Sequence, residues 1–143
     1  MSDLVIDASI AIKWVIEEDR TKEALALRRQ ALAAPDLLVA ECANILRKKV
    51  CRKELSESEA AFAAGLLARA DVELVAMRPY LEAATRIAAG LDHPAYDCFY
   101  IALAEAEGLS LVTADSTLVR KASGRYAGRV LGLTDAATWS DES

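Results

Sequence analysis

The strongest constraint on this chain is a unit that occurs twice, near its two ends: a short apolar run closing on an aspartate, with a helical pattern starting directly behind it. Leu4-Val5-Ile6 is the first such run; it ends in Asp7-Ala8-Ser9, after which Ile10, Trp14 and Val15 recur at helical spacing. Residues 109–113 form the second, followed by Asp115-Ser116 and a short helix beginning at Leu118-Val119. Between these units, Thr21 is expected to cap a helix over residues 21–32. Ala34-Pro35-Asp36 is expected to open a third helix, with Leu38, Cys42, Ile45, Leu46 and Val50 on its apolar side. Ser56 and Glu59 have the spacing of a capping box. Residues 72–77 read as a strand, 80–91 as a helix, 95–107 as a very apolar helix stopped by Gly108, and 130–133 as a last strand, with a polar tail after Trp139. Strands alternating with helices predict an α/β domain with a mostly parallel central sheet.

The 143 residues suit one domain spanning 1–143, and no linker or repeat divides them. With 54% hydrophobic and 27% charged residues the chain is not of disordered composition, and no apolar run approaches the roughly 20 residues that span a bilayer. The N-terminus lacks the basic and apolar regions of a secretory signal, so a cytoplasmic protein is expected. Cys42, Cys51 and Cys98 are odd in number, lack a CxxC spacing and fall in helical segments, which argues for reduced thiols. A net charge of −5 excludes tight non-specific binding to nucleic acid by bulk charge; any such contact has to come from local basic clusters.

In an open parallel sheet, ligands gather beyond the carboxyl ends of the strands. Asp7 and Asp115 both fall there, each accompanied by a hydroxyl: Ser9 for the first, Thr113 or Ser116 for the second. Capping of the next helix is the structural alternative for both. Glu41 lies beside the core face of its helix, in a narrow polar stripe with Asn44 and Lys48, so a solvated helix edge and a functional acid are both open. Asp97 is the most informative acid, being the only charge in residues 96–104. A carboxylate in such surroundings needs a cation or helix N-terminal amides. His93, next to Pro94 at the helix start, reads as a capping or loop residue.

Four carboxylates meeting without histidine or cysteine suit Mg²⁺ or Mn²⁺ and not zinc. A pair of such ions about 4 Å apart promotes in-line attack at phosphorus, which makes phosphodiester hydrolysis the natural reaction class.

Four blocks then carry a family resemblance: Val5-Ile6-Asp7-Ala8-Ser9 followed by Lys13-Trp14; Pro35-Asp36-Leu37-Leu38-Val39-Ala40-Glu41; His93-Pro94-Ala95-Tyr96-Asp97-Cys98-Phe99-Tyr100; and Leu111-Val112-Thr113-Ala114-Asp115. On these the whole chain resembles PIN domains, and most closely the VapC-type toxins of type II toxin–antitoxin pairs. The resemblance implies a three-layer α/β/α fold in which Asp7, Glu41, Asp97 and Asp115 surround Mg²⁺ or Mn²⁺, with Ser9 and Thr113 as supporting hydroxyls. It also implies an endoribonuclease that cleaves RNA, is silenced by a cognate antitoxin and forms a homodimer. Some relatives carry a further acid just after the position of Asp115; here Ser116-Thr117 stands there, so the resemblance supplies no fifth carboxylate.

RNA binding at an acidic site calls for basic residues at its rim. Arg47, Lys48 and Arg52, with Lys49 and Lys53, form the first candidate cluster, and Arg120, Lys121, Arg125 and Arg129 the second. Two other functions compete with the toxin: a non-catalytic PIN-like scaffold, and a receiver-type phosphoacceptor domain, in which Glu41 and Asp97 have no place.

Overall fold

Strand β1 (Leu4–Ile6) is buried along its whole length and lies at the middle of the sheet. The computed structural model describes residues 1–135, in which β2 (Leu32–Pro35), β3 (Val72–Val75), β4 (Ser110–Thr113) and β5 (Val130–Gly132) complete a five-stranded sheet. Its order is β3-β2-β1-β4-β5 and every pairing is parallel. Leu4 is in register with Leu32 on one side and Ser110 on the other. The expected polar tail after Trp139 lies outside the described residues.

The connections are helices: α1 (Ala8–Ala11), α2 (Thr21–Ala26), α3 (Leu37–Cys51), α4 (Glu57–Ala68), α5 (Leu81–Leu91), α6 (Ala95–Glu107) and α7 (Ser116–Ala122). Parallel strands require such crossovers, and both sheet faces are covered, giving the three-layer α/β/α arrangement. Helix α6 lies against β1, β2 and β4 and buries Cys98, Tyr100, Ile101, Leu103 and Ala104, with α5 packed beside it. Helices α1, α3 and α4 pack together, the last over a small cluster of Ile12, Leu46 and Ala63. Each leucine or isoleucine so enclosed contributes about 1.5–3 kcal/mol relative to exposure.

Two features differ from the sequence expectation. The second helix does not reach residue 32: after α2 and a short 3-10 turn, Leu32-Ala33-Ala34-Pro35 forms β2, and α3 opens at Leu37. These four residues include no β-branched side chain, but β1 and β3 pair with both their edges and all four are buried, so tertiary pairing overrides local helix preference. Thr21 also does not cap α2 from its first position. Arg20 precedes the helix in the left-handed region (φ 63), while the Thr21 hydroxyl accepts from the Glu18 amide at 2.8 Å.

Smaller differences are that β3 stops at Val75 and not at residue 77, β5 at Gly132 and not at 133, and α7 opens at Ser116 and not at Leu118. The Ser56–Glu59 capping box is present with both hydrogen bonds. Helix α6 covers 95–107 and ends at Gly108, whose φ of +68 places it in the conformation glycine adopts without steric cost.

Candidate active site

Strand order sets the location. Two strands on one side of β1 and two on the other are reached by connections running in opposite senses, so the chain ends of β1 and β4 flank a crevice at the carboxyl edge of the sheet. Asp7 follows β1 and Asp115 closes the turn after β4. Both cap helices: Asp7 Oδ1 accepts from the Ser9 amide at 3.1 Å, and Asp115 Oδ1 from the amides of Thr117 and Leu118 at 2.9 and 3.2 Å. The structural alternative is therefore correct for both, and it is not the whole account.

A hydroxyl network joins the two turns. Ser9 Oγ donates to Asp7 Oδ1 at 2.5 Å, accepts from the Ala114 amide at 2.9 Å and lies 3.4 Å from Thr113 Oγ1. Thr113 is fully buried and its hydroxyl accepts from the Asp115 amide at 3.1 Å.

Helices α3 and α6 bring the other acids. Glu41 sits in the second turn of α3 and accepts a 2.5 Å hydrogen bond from the Tyr100 hydroxyl, a contact across 59 residues of chain. Asp97 lies in the first turn of α6, where His93 Nε2 approaches its Oδ2 to 2.6 Å. Ligand atoms of His93, Asp97 and Asp115 all lie within 4.8 Å of one another.

Electrostatics link Asp7 and Glu41 to each other's neighbourhood and to the charge of Asp97. Burial pushes the Asp7 carboxyl up to about 6, opposed by the Ser9 and Thr113 hydroxyls and reinforced by the charges of Asp97 and Glu41. Burial likewise raises Glu41, with the Tyr100 hydrogen bond opposing and Asp97 adding to the rise. Burial first, and then Glu41, hold the Tyr100 hydroxyl well above the usual phenol range, so it remains a donor. Burial and the neighbouring acids also push Cys42 up to about 12 and burial lifts Cys98 to about 11; both thiols stay protonated and are poor nucleophiles. Among the described residues no lysine or arginine pairs with any of the four carboxylates. Two enclosed carboxyls raised first by burial and then by a neighbouring acid, with no lysine or arginine paired to them among the described residues, fit a divalent cation as their partner. The donor set of carboxylates with one imidazole is suited to a hard or borderline ion.

The sequence reading missed two residues here. Tyr100 is three residues beyond Asp97 on the same helical face, a spacing that was visible, but its contact with Glu41 was not. His93 is not a mere loop residue: its side chain is 6% exposed and turned onto Asp97. Its i, i+4 spacing to Asp97 was the available signal.

The basic clusters fare differently. Arg47 and Lys48 are exposed in the C-terminal half of α3 and Arg52 follows its last residue; Arg47 bonds to Asn44 and Lys49 to Glu18. In the second cluster, Lys121 is tied to the Asp92 carbonyl and Arg129 to the Leu109 carbonyl, while Arg125 lies over Tyr126. Arg120 instead lines an open cleft of about 390 Å³ with Lys13, Arg20, Thr113 and Ser116, next to Asp115.

Comparison with known proteins shows the family and agrees with the fold. A family model for the PIN domain matches residues 4–124. A VapC ribonuclease of Mycobacterium bovis and the ribonuclease VapC9 of Mycobacterium tuberculosis are each 33% identical to the chain over 115 residues, covering 80% of it and 87% of their own length. Among solved structures, PAE2754 from Pyrobaculum aerophilum superimposes with a TM-score of 0.76 at 20% identity, over 99% of this chain and 91% of that one. The sarcin–ricin-loop-cleaving toxin VapC20 of Mycobacterium tuberculosis does so with a TM-score of 0.63 at 14% identity, over 82% and 94%. At those identities the two structures speak to the fold.

Proposed function

The chain belongs to the PIN-domain family, and from that premise we propose that it is the endoribonuclease toxin of a VapC-type pair, hydrolysing RNA phosphodiester bonds. In this reading Asp7, Glu41, Asp97 and Asp115 hold Mg²⁺ or Mn²⁺. The observation that supports it is the grouping of Asp97 and Asp115 ligand atoms within 4.8 Å, with Asp7 and Glu41 both feeling the charge of Asp97, and no lysine or arginine paired to any of the four among the described residues. The family's named relatives supply the substrate class.

The chemistry such an ion supplies is charge neutralisation at the scissile phosphate and activation of water for in-line attack. The chain's own residues prepare for it. Ser9 and Thr113 hold the carboxylate-bearing turns after β1 and β4 at a fixed separation, and the Tyr100 hydroxyl holds Glu41 Oε1 in place. Arg20 and Arg120 form no ion pair among the described residues, and their place in the cleft beside Asp115 suits them to neighbouring phosphates of the RNA strand. We therefore shift the RNA contact from Arg47, Lys48 and Arg52 toward this cleft.

The partners in this reading are an RNA substrate, a cognate antitoxin and a second copy of the chain, in the cytoplasm. An apolar groove of about 270 Å³ lined by Leu38, Cys42, Leu46, Leu67 and Val72, with exposed Val39 and Leu74 at its rim, supports a protein partner. No helix among the described residues is long and apolar enough to cross a membrane.

The test is sequencing of RNA 5′ ends after induction of wild type and of Asp97→Asn, paired with cleavage assays of the purified proteins in Mn²⁺ and in EDTA. Discrete new ends that require both Asp97 and metal are expected. Equal cleavage in EDTA, or identical ends from the variant, would sink the proposal.

A further inference from the structure

His93 is turned inward onto Asp97, with one ring nitrogen engaged and the other without a partner among the described residues. Its side chain is 6% exposed, Nε2 lies 2.6 Å from Asp97 Oδ2, and Nδ1 is buried with no hydrogen-bond partner among the described residues. A buried polar atom without a partner costs free energy, so a ring that only capped the start of α6 would be better placed facing water. Its ligand atom instead falls within 4.8 Å of oxygens from both Asp97 and Asp115. Donors bound to one ion at about 2.1 Å lie about 3 Å apart when adjacent and about 4 Å apart when opposite, so small side-chain movements bring these three onto a common centre. The turn after Asp115 continues as Ser116-Thr117 and offers no further carboxylate. Among the described residues the imidazole is the ligand group found together with these two carboxylates.

We propose that His93 is a nitrogen ligand of the metal centre beside Asp97 and Asp115, and that it gives this centre a preference for Mn²⁺ over Mg²⁺. The proposal rests on the reading of the carboxylates as metal ligands. Mg²⁺ favours an all-oxygen octahedron and sheds water reluctantly, whereas an imidazole suits first-row transition-metal ions, so one nitrogen in the set moves the balance between the two. Asp97, which His93 touches directly, then shares the ion with the ring rather than the ring's proton.

The chain contains a single histidine, which makes the test unambiguous. Untagged full-length protein is loaded with Mn²⁺ and studied by pulsed EPR, once at natural abundance and once with ¹⁵N-histidine incorporated. Imidazole ¹⁴N modulation that is replaced by ¹⁵N coupling in the labelled sample is expected, and the labelled wild type needs no substitution that could disturb folding. Calorimetry on His93→Gln adds a second readout: Mn²⁺ affinity falls at least about tenfold while Mg²⁺ affinity changes little. Mn²⁺ that binds with no histidine nitrogen coupling, or a His93→Gln variant with an unaltered Mn²⁺/Mg²⁺ ratio, overturns the proposal and leaves the carboxylate centre standing. Absence of Mn²⁺ binding at millimolar concentration overturns both.

Discussion

Replacing Asp7 by asparagine should make the metal-free protein more stable. The Asp7 carboxyl is enclosed and its folded-state pKa is about 6 against an ordinary value of 3.8, a rise caused first by burial and then by Asp97 and Glu41. A carboxyl whose pKa is raised on folding is destabilising wherever it is ionised in the folded state. The penalty is absent below the unfolded value, grows between 3.8 and about 6, and is complete above that. The difference of roughly two pH units corresponds to about 3 kcal/mol at pH 8, about half of that at pH 5 and under about 1 kcal/mol at pH 4. The asparagine side chain keeps an Oδ1 acceptor for the Ser9 amide and hydroxyl, so the cap on α1 survives while the charge goes. Urea unfolding in EDTA, read as the midpoint at constant m-value, should show D7N ahead of wild type by about 2–3 kcal/mol at pH 8, with the gap closing toward pH 4. Mn²⁺ at about one hundred times its dissociation constant adds about 2.7 kcal/mol to the protein that binds it and should close the gap, and at about one thousand times, where it adds about 4.1 kcal/mol, it should reverse the order. A D7N variant no more stable than wild type at pH 8 in EDTA, or a gap that does not depend on pH, would refute the reasoning that Asp7 is a strained charge awaiting a cation.

Tyr100→Phe removes the donor to Glu41 and should cost about 1.5–3 kcal/mol in the same assay; a double-mutant cycle with Glu41→Gln that shows no coupling would deny the hydrogen bond its role. Charge reversal at Arg20 and Arg120 should raise KM for RNA and flatten the salt dependence of binding while leaving Mn²⁺ affinity unchanged, and the same reversal at Lys48 and Arg52 should do much less; equal effects at the two pairs would return the RNA contact to α3. Gly108→Ala forces a side chain into the left-handed region and should lower stability by about 1–2 kcal/mol with no change in metal binding, as measured by urea unfolding and calorimetry.

Sequence pattern was sufficient for those parts of the molecule where local and tertiary preferences agree. Leu4-Val5-Ile6 and residues 109–113 are β-branched or apolar in the main, and the first is β1 while all but Leu109 of the second is β4; residues 95–107 are helical with a glycine stop, and the helix ends where that glycine falls. Residues 32–35 show the opposite case. Their alanines favour a helix, and only the neighbouring strands on both sides make them a strand, information that lies about 30 residues away in the chain on one side and 40 on the other. The site divides in the same way. Asp7 and Asp115 were legible because a strand end and a helix start mark them locally, and Asp97 because nothing else in its segment is charged. Tyr100 was not, since its partner Glu41 meets it only after α3 and α6 have docked against the sheet.

The double duty of Asp7 and Asp115 bears on how this fold would decay in lineages that no longer need its chemistry. Both side chains satisfy helix-start amides, a task that asparagine, serine or threonine performs about as well and that glutamate, one methylene longer, performs poorly. Glu41 and Asp97 answer to no such requirement from the backbone; neither side chain caps its helix. An inactive descendant is therefore expected to drift at position 97, and at position 41 together with a change of Tyr100 to phenylalanine, while remaining confined to short polar residues at 7 and 115. A relative holding asparagine or serine at both turns, with apolar residues on the two helices, would be a well-folded protein that has lost its catalytic function.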